Sequence, residues 1–365
     1  AHYVSQCVDH FLEGEPILTP AYNLQLVKQF DGEVTLAEVN QSVGNIITDK
    51  NQVFVMYGPD KEGFVIPSES EIEATVLAAQ KKQYEPYQEE KIPSTLMSAL
   101  PKPGKIVSEK PYGKFGMTEI TLSNGMKVYV KPTDYQADQV MMSMRAEGGT
   151  SLYGNEDIPN SSLLTSAITE AGVGDFSATA LRKALAGKSI RLTPSISSEG
   201  QRIAGSSSVK DMETMLQLAH LYFMAPRKDS VAFEGLKNRT LSFLKNRNAS
   251  SKVVYNDSLS AVLYDHNLRM APVTGEVLAK ADYGRIMEIY RERFSDASNF
   301  KTVFIGKIDM AELRPLLCQY LATLPSTYKK EETDKKNVPQ IVMKNEKVKF
   351  VHQQETPLAN VSVFY

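Results

Sequence analysis

The sequence predicts an α+β fold, and three observations carry that prediction. Strand-like and helix-like segments come in groups rather than in strict alternation, which argues against a Rossmann or barrel arrangement. Asn124-Gly125 separates two apolar-alternating runs in "TEITLSNGMKVYVKP", the strongest short-range hairpin signal. Several longer segments repeat apolar residues with the 3.6-residue helical period.

The elements follow in order. "AHYVSQCVDHFLE" predicts an opening helix with Val4, Cys7, Val8, Phe11 and Leu12 on one stripe, ended by Gly14 and Pro16. A short helix is expected from Thr35, then a strand over Val53–Tyr57. Residues 67–113 hold six of the 18 prolines, and their one helical segment starts at a Ser68/Glu71 capping box. The aperiodic remainder predicts a linker along a surface. A compact domain is expected from about Lys114. It opens with the hairpin, followed by a strand in "QVMMSMRAEGG" and a helix over Pro159–Ala171. Two strands follow in "KSIRLTPSISSEG" and "QRIAGSSSVK", then a helix capped by Asp211. Helices over about Ser230–Arg247 and Ala279–Phe294 precede the strand "FKTVFIGKID" and a helix from Asp309 to about Leu324. Residues 327–348 are polar and predict a second linker, and "LANVSVFY" predicts a strand.

Composition sets limits. The 365 residues suffice for two or more cores, and the 42% hydrophobic and 23% charged content is that of ordinary globular chains. A net charge of -2 argues against nucleic acid or an anionic membrane as a general partner. No apolar run approaches the roughly 18–20 residues of a membrane span. Cys7 and Cys318 have no C-x-x-C spacing, so neither a disulfide framework nor a thiolate metal site is implied. The first and last segments read as the inside of a helix and an unpartnered strand, so a piece of a longer protein is expected.

Chemical motifs are sparse. "HFLEG" at 10–14 differs from the inverted zinc-peptidase motif H-x-x-E-H only at Gly14. His10 and Glu13 lie opposite the apolar stripe, and two potential ligands without the second His rarely hold zinc. "AGKS" at 186–189 lacks the first P-loop glycine, since Arg182 stands there, and Gly172 and Gly174 begin a G-x-G-x-x-G that fails at Ser177. The histidines 2, 10, 220, 266 and 352 never pair at helical spacing, and His220 reads as structural. Glu156/Asp157 reads as a surface-loop pair. The residues alone present no catalytic centre.

Several stretches together resemble the pitrilysin/insulinase family of zinc metallopeptidases, in particular its long two-halved bacterial members. They are "TLSNGMKVYVKPT", "AEGGTSLYG", "SATALRKALAGKSIRLTPSIS", "KDMETMLQLAHLYFMAPRKD" and "VFIGKID", with "HYVSQCVDHFLEGEPI", "LAEVNQSVGNIITDKNQVFVMYGPDKEG" and "GKIVSEKPYGKFG" before them or between. The resemblance implies four related domains, each a sandwich of antiparallel-rich sheet and packed helices like that of the mitochondrial processing peptidase. It divides this chain into the end of the second domain (1–66), a linker (67–113), the third domain (114–326), a linker (327–348) and the start of the fourth (349–365).

In such proteins H-x-x-E-H sits in the first domain. The resemblance lays its counterpart on Ser162-Leu163-Leu164-Thr165-Ser166, with ligand positions Ser162 and Ser166 and base position Thr165. Leu241 falls at the downstream Glu ligand and Glu234 at an upstream helper position. Helical geometry puts 162, 165 and 166 on one face, with Leu163, Leu164, Ala167, Ile168 and Ala171 on the other. Neutral hydroxyls are poor zinc ligands, and Thr is no base at neutral pH. The implied chain has no catalytic or metal residue of its own and no cofactor, with zinc in a first domain elsewhere in the parent. The implied partners are peptide or unfolded protein substrates and the N-terminal half of the same parent, with no nucleic acid and no membrane span. The implied compartment is the periplasm. Three readings stay open: part of a metalloendopeptidase's enclosing chamber, a non-peptidase scaffold or peptide-binding relative, and a different enzyme with an unrecognised site. An intact or lost H-x-x-E-H in the first domain separates the first two.

Overall fold

The computed structural model describes residues 2–46, 51–58, 63–83, 85, 92–93, 95–342, 344, 347–351, 359 and 361–364. His352 and much of the expected segments 84–94 and 349–365 lie outside these residues. The chain divides into two units, Ala1–Tyr87 and Gln88–Tyr365.

The first unit is helical. α1 (His2–Glu13) ends as predicted, with Gly14 at φ +73° and its N–H on His10 O at 3.1 Å. α2 (Pro20–Phe30) starts on a Thr19 cap with Pro20 in its first turn, a start signal the apolar pattern alone did not disclose. α3 (Leu36–Ile46) begins after Thr35, whose hydroxyl accepts from Glu38 N at 3.2 Å. α4 (Glu69–Lys81) carries the Ser68/Glu71 capping box. No described residue of this unit is buried, and the α1 stripe is open, with Phe11 86% exposed. The expected strand at Val53–Tyr57 is not formed. A strand needs a ladder partner, and these residues have none among those described.

The second unit is built on a seven-stranded sheet in the order β1-β2-β3-β7-β4-β6-β5. β1 is Ile106–Tyr112, β2 Met117–Leu122, β3 Lys127–Pro132, β4 Val140–Glu147, β5 Ile190–Ile196, β6 Gly200–Ser207 and β7 Lys301–Gly306. All pairings are antiparallel except β3 with β7. β2 and β3 are the predicted hairpin, with Gly125 at φ +83°. β1 lies where a linker was expected. As an edge strand it buries no apolar face, six of its seven residues are exposed, and it contains Pro111, so no alternation announced it.

One sheet face carries Ile120, Leu122, Val128, Val130, Val140, Met142, Met144, Ile203 and Phe304, all at most 1% exposed. The helices that contribute to the core over it are α5 (Ile158–Ala171), α6 (Ala178–Ala184), α7 (Met212–Met224), α8 (Ser230–Asn246), α10 (Gly275–Ala279), α11 (Tyr283–Arg293) and α12 (Met310–Leu316), while α9 (Ser251–Leu263) buries no residue. Each fully buried Leu, Ile or Met there contributes about 2 kcal/mol by its removal from water. Phe223, Phe294 and Phe300 form an aromatic cluster with centroids 5.3–5.9 Å apart.

Three local differences from the sequence reading have physical causes. Asp211 occupies the N-cap position of α7 but caps nothing, because its carboxylate accepts from Ser189 N at 2.9 Å and Ser208 Oγ at 2.6 Å. The last helix ends early: Pro315 lacks an N–H for the helical ladder, and a π turn over Leu317–Leu321 follows α12. Residues 327–337, within the segment read as a linker, form a strap held by hydrogen bonds. Asp296 Oδ2 accepts from Lys329 N at 3.1 Å, Thr333 Oγ1 donates to Glu199 O at 2.6 Å, and Asn337 Nδ2 donates to Ser151 O at 2.8 Å. Of the expected strand in "LANVSVFY", the described residues lie in no ladder.

Candidate functional site

α5 is the element on which the sequence placed a motif counterpart. It starts at Asp157 with Pro159 in its first turn, and it ends at Gly172, φ +88°, where a Cβ would meet Phe176 O at 2.2 Å. Leu163, Leu164, Ala167, Ile168 and Ala171 are buried, as the helical period requires. The opposite face carries Ser162, Thr165 and Ser166. Ser162 and Ser166 are exposed, and Ser162 Oγ donates to Pro159 O at 2.7 Å. Thr165 Oγ1 accepts from Ile196 N at 3.4 Å, joining the helix to the end of β5.

These hydroxyls do not make a donor set for Zn²⁺. Each is neutral at ordinary pH, two are already engaged in hydrogen bonds, and the carboxylate one turn on from Ser166, Glu170, is paired with Arg239. On α8, capped by Asp229 through Ala232 N at 3.0 Å, Glu234 is exposed and Leu241 packs half-buried against the core. Among the described residues no three His, Cys, Asp or Glu side chains come together in a metal-binding arrangement. In the first unit His10 and Glu13 are exposed, and His10 Nδ1 bonds Glu15 O at 2.7 Å.

Beside this face runs β5, the last strand of the sheet. Ser197 N donates to Gly200 O at 2.8 Å. With the β5–β6 register, antiparallel alternation then turns the N–H and C=O of Ile190 and Leu192 away from β6. Pro194 falls on the same outward phase, where its missing N–H costs no ladder bond. Among the described residues, the outer edge of β5 therefore has main-chain groups that no ladder pairs.

The loop from β4 to α5 is held by a network that the sequence did not disclose. Gly148 and Gly149 have φ of +113° and +55°, and a Cβ on Gly149 would meet Ser197 O at 2.2 Å. Asp157, expected in a surface loop, is 6% exposed and takes a forked bond from Arg285, with Nη2–Oδ2 at 2.9 Å. Burial pushes its carboxyl upward, but Arg285 and Asn160 outweigh that and hold it below the usual aspartate range. Arg293, 6% exposed, bonds the Tyr153 hydroxyl at 2.9 Å and Glu331 at 2.8 Å. Burial, with Glu292 accepting from the phenol, drives Tyr153 well above the ordinary tyrosine range. His220 is 7% exposed with Nδ1 unpartnered, and burial lowers its pKa.

No family model matches the chain. Over 321 residues it is 25% identical to a "Zinc protease PQQL-like" protein of Arabidopsis thaliana, covering 87% of this chain and 31% of that one. It is 22% identical over 306 residues to the "Probable zinc protease PqqL" of Haemophilus influenzae, covering 83% of this chain and 32% of that one. The chain is a relative of the pitrilysin-family zinc proteases. Among solved structures, the periplasmic protease PqqL of Escherichia coli superposes with a TM-score of 0.61 at 18% identity, covering 95% of this chain and 38% of that one. The ferredoxin protease FusC, solved as a mutant in complex with Arabidopsis ferredoxin, gives 0.58 at 15% identity, covering 91% and 37%. The pitrilysin-family relative thus has the expected α+β fold and spans about a third of the curated proteins it matches. No helix among the described residues is long and apolar enough to cross a membrane.

Proposed function

We propose that this chain is a non-catalytic portion of a zinc-dependent metalloendopeptidase, reaching from the end of its first half into its second and forming part of the chamber that encloses peptide substrate. The observation that carries this reading is the face of α5. A helix beside a sheet edge carries Ser162, Thr165 and Ser166 on one face, and the register implied by the family resemblance sets these three against the motif's two imidazoles and carboxylate. In this reading 1–66 ends the second domain, 114–326 is the third, and 349–365 begins the fourth. Zinc belongs to the first domain of the parent, and no step through it involves residues of this chain. The main-chain groups of Ile190 and Leu192, turned away from β6 and outside any ladder among the described residues, suit pairing with an extended peptide. The description of Escherichia coli PqqL as a periplasmic protease supports the same compartment for the parent.

The test is metal content by mass spectrometry after dialysis, beside a fluorogenic peptide assay with and without added zinc. The chain alone is expected to hold no stoichiometric zinc and cleave nothing, and to restore cleavage when mixed with the parent's N-terminal half. One tightly held zinc per chain with chelator-sensitive cleavage would overturn the reading.

A further inference from the structure

The sheet face opposite the helices carries a row of cations drawn together by strand register. Lys127 on β3 is paired with Lys301 on β7, Lys301 with Arg145 on β4, and Arg145 with Arg202 on β6. Paired residues share a face, so four positive side chains stand side by side across four adjacent strands, a row about 14 Å long at the usual ~4.8 Å strand spacing. All four are exposed. Arg145 and Lys301 have no ion-pair partner among the described residues. Lys127 reaches only Glu119, at 3.8 Å, a carboxylate that Lys110 also approaches at 3.5 Å. Arg202 is held by one bond, Nε to Ser143 Oγ at 3.0 Å.

Like charges directly opposite one another on a sheet oppose pairing, so this row does not serve the fold. It is also local: the whole chain carries a net charge of -2. We infer that the cation row Lys127–Lys301–Arg145–Arg202 is a docking surface for an extended acidic peptide segment lying across the strands. An extended chain repeats its same-side residues every ~6.7 Å, so two or three Asp or Glu residues at alternate positions span the row. Exposed ion pairs are individually weak, which makes the surface a selector for clustered carboxylates rather than for single ones. The inference rests on the peptide-enclosing reading above and names its substrate class.

The experiment is fluorescence anisotropy of the purified chain with labelled extended peptides carrying Glu at alternate positions, and with the same peptides carrying Gln. The Glu peptide is expected to bind at least tenfold more tightly at low salt, to weaken as salt is raised, and to lose most of that advantage in Arg145→Gln/Arg202→Gln. Removing a like-charge pair should leave thermal stability unchanged or raised, which separates lost docking from lost folding. Equal binding of Glu and Gln peptides would overturn the cation-row inference while leaving the peptide-binding reading standing. Absence of binding by every peptide would overturn both. Tighter binding of a single-stranded oligonucleotide than of the Glu peptide would overturn the inference in favour of a nucleic-acid surface.

Discussion

Arg293 Nε donates to the Tyr153 hydroxyl at 2.9 Å, and its Nη1 donates to Glu331 at 2.8 Å. One buried guanidinium therefore ties together the loop before α5, the end of α11 and the strap at 327–337. Removing it leaves Glu331 without its cation and Tyr153 without its donor. Arg293→Ala is expected to destabilise the second unit by about 3 kcal/mol. Urea unfolding would give the loss, and hydrogen exchange should show protection falling in 327–337 in particular. An unchanged midpoint with an unchanged strap would refute the tie.

His220 gives a pH signature near neutrality. Burial favours the neutral ring in the fold, so the folded pKa lies below the unfolded value of about 6.5. The unfolded chain binds more protons between those two values, and stability falls as pH drops from about 6.5 toward the folded pKa. His220→Phe should flatten the stability profile between about pH 7.5 and 5. A wild-type profile already flat over that range would count against this account.

Asp157 acts in a lower window. Its folded pKa is depressed, so its contribution is complete above the unfolded value of about 3.9 and is lost as pH falls through the folded one. Asp157→Asn should cost about 1–2 kcal/mol at pH 7, a figure reduced from that of a fully buried pair because the Arg285 side chain is 35% exposed. The difference between mutant and wild type should narrow as pH falls below the unfolded value of about 3.9 and close only once pH has passed the lower, folded value. Guanidinium melts at several pH values would decide it; a gap that persists in acid would mean the loss is steric.

Legibility followed how local each signal is. The hairpin turn, the Ser68/Glu71 box and the buried phase of α5 were readable because adjacent residues determine them. β1 and the Val53–Tyr57 segment were not, because strand identity depends on a partner far along the chain. Asp157 read as a surface carboxylate because Arg285, which draws it inward, lies 128 residues away. The role given to the face of α5 came only through the family resemblance: Ser162, Thr165 and Ser166 carry no chemical signal of their own.

The motif register can be tested by rebuilding it. Ser162→His/Ser166→His puts two imidazoles at i, i+4 on the free face of α5, and Leu241→Glu should then strengthen zinc binding about tenfold. Isothermal titration of the double and triple variants would measure this. A double variant that retains no zinc, or a triple variant no tighter than the double, would show that the register is misplaced.

The exposed stripe of α1 has a consequence for handling the chain. Phe11 and Leu12 are 86% and 69% exposed beside Val4 and Val8. Contiguous apolar surface of this kind promotes association. Phe11→Glu/Leu12→Lys should lower the apparent mass in sedimentation velocity at high concentration without lowering the unfolding midpoint. An unchanged mass distribution would show that the stripe drives no association.

The position of β7 dictates an order of assembly. Two half-sheets, β1-β2-β3 and β4-β6-β5, are joined only by a strand that lies near the end of the second unit's sequence. Until Lys301–Gly306 has been synthesised and inserted, β3 and β4 keep raw edges bearing Val128, Val130, Met142 and Met144. Such long-range closure is slow, and open apolar edges invite mispairing during the wait. A ribosome-bound chain ending before residue 301 would therefore be the species most in need of a chaperone, and β7 acts as the keystone that turns two reactive halves into one finished layer.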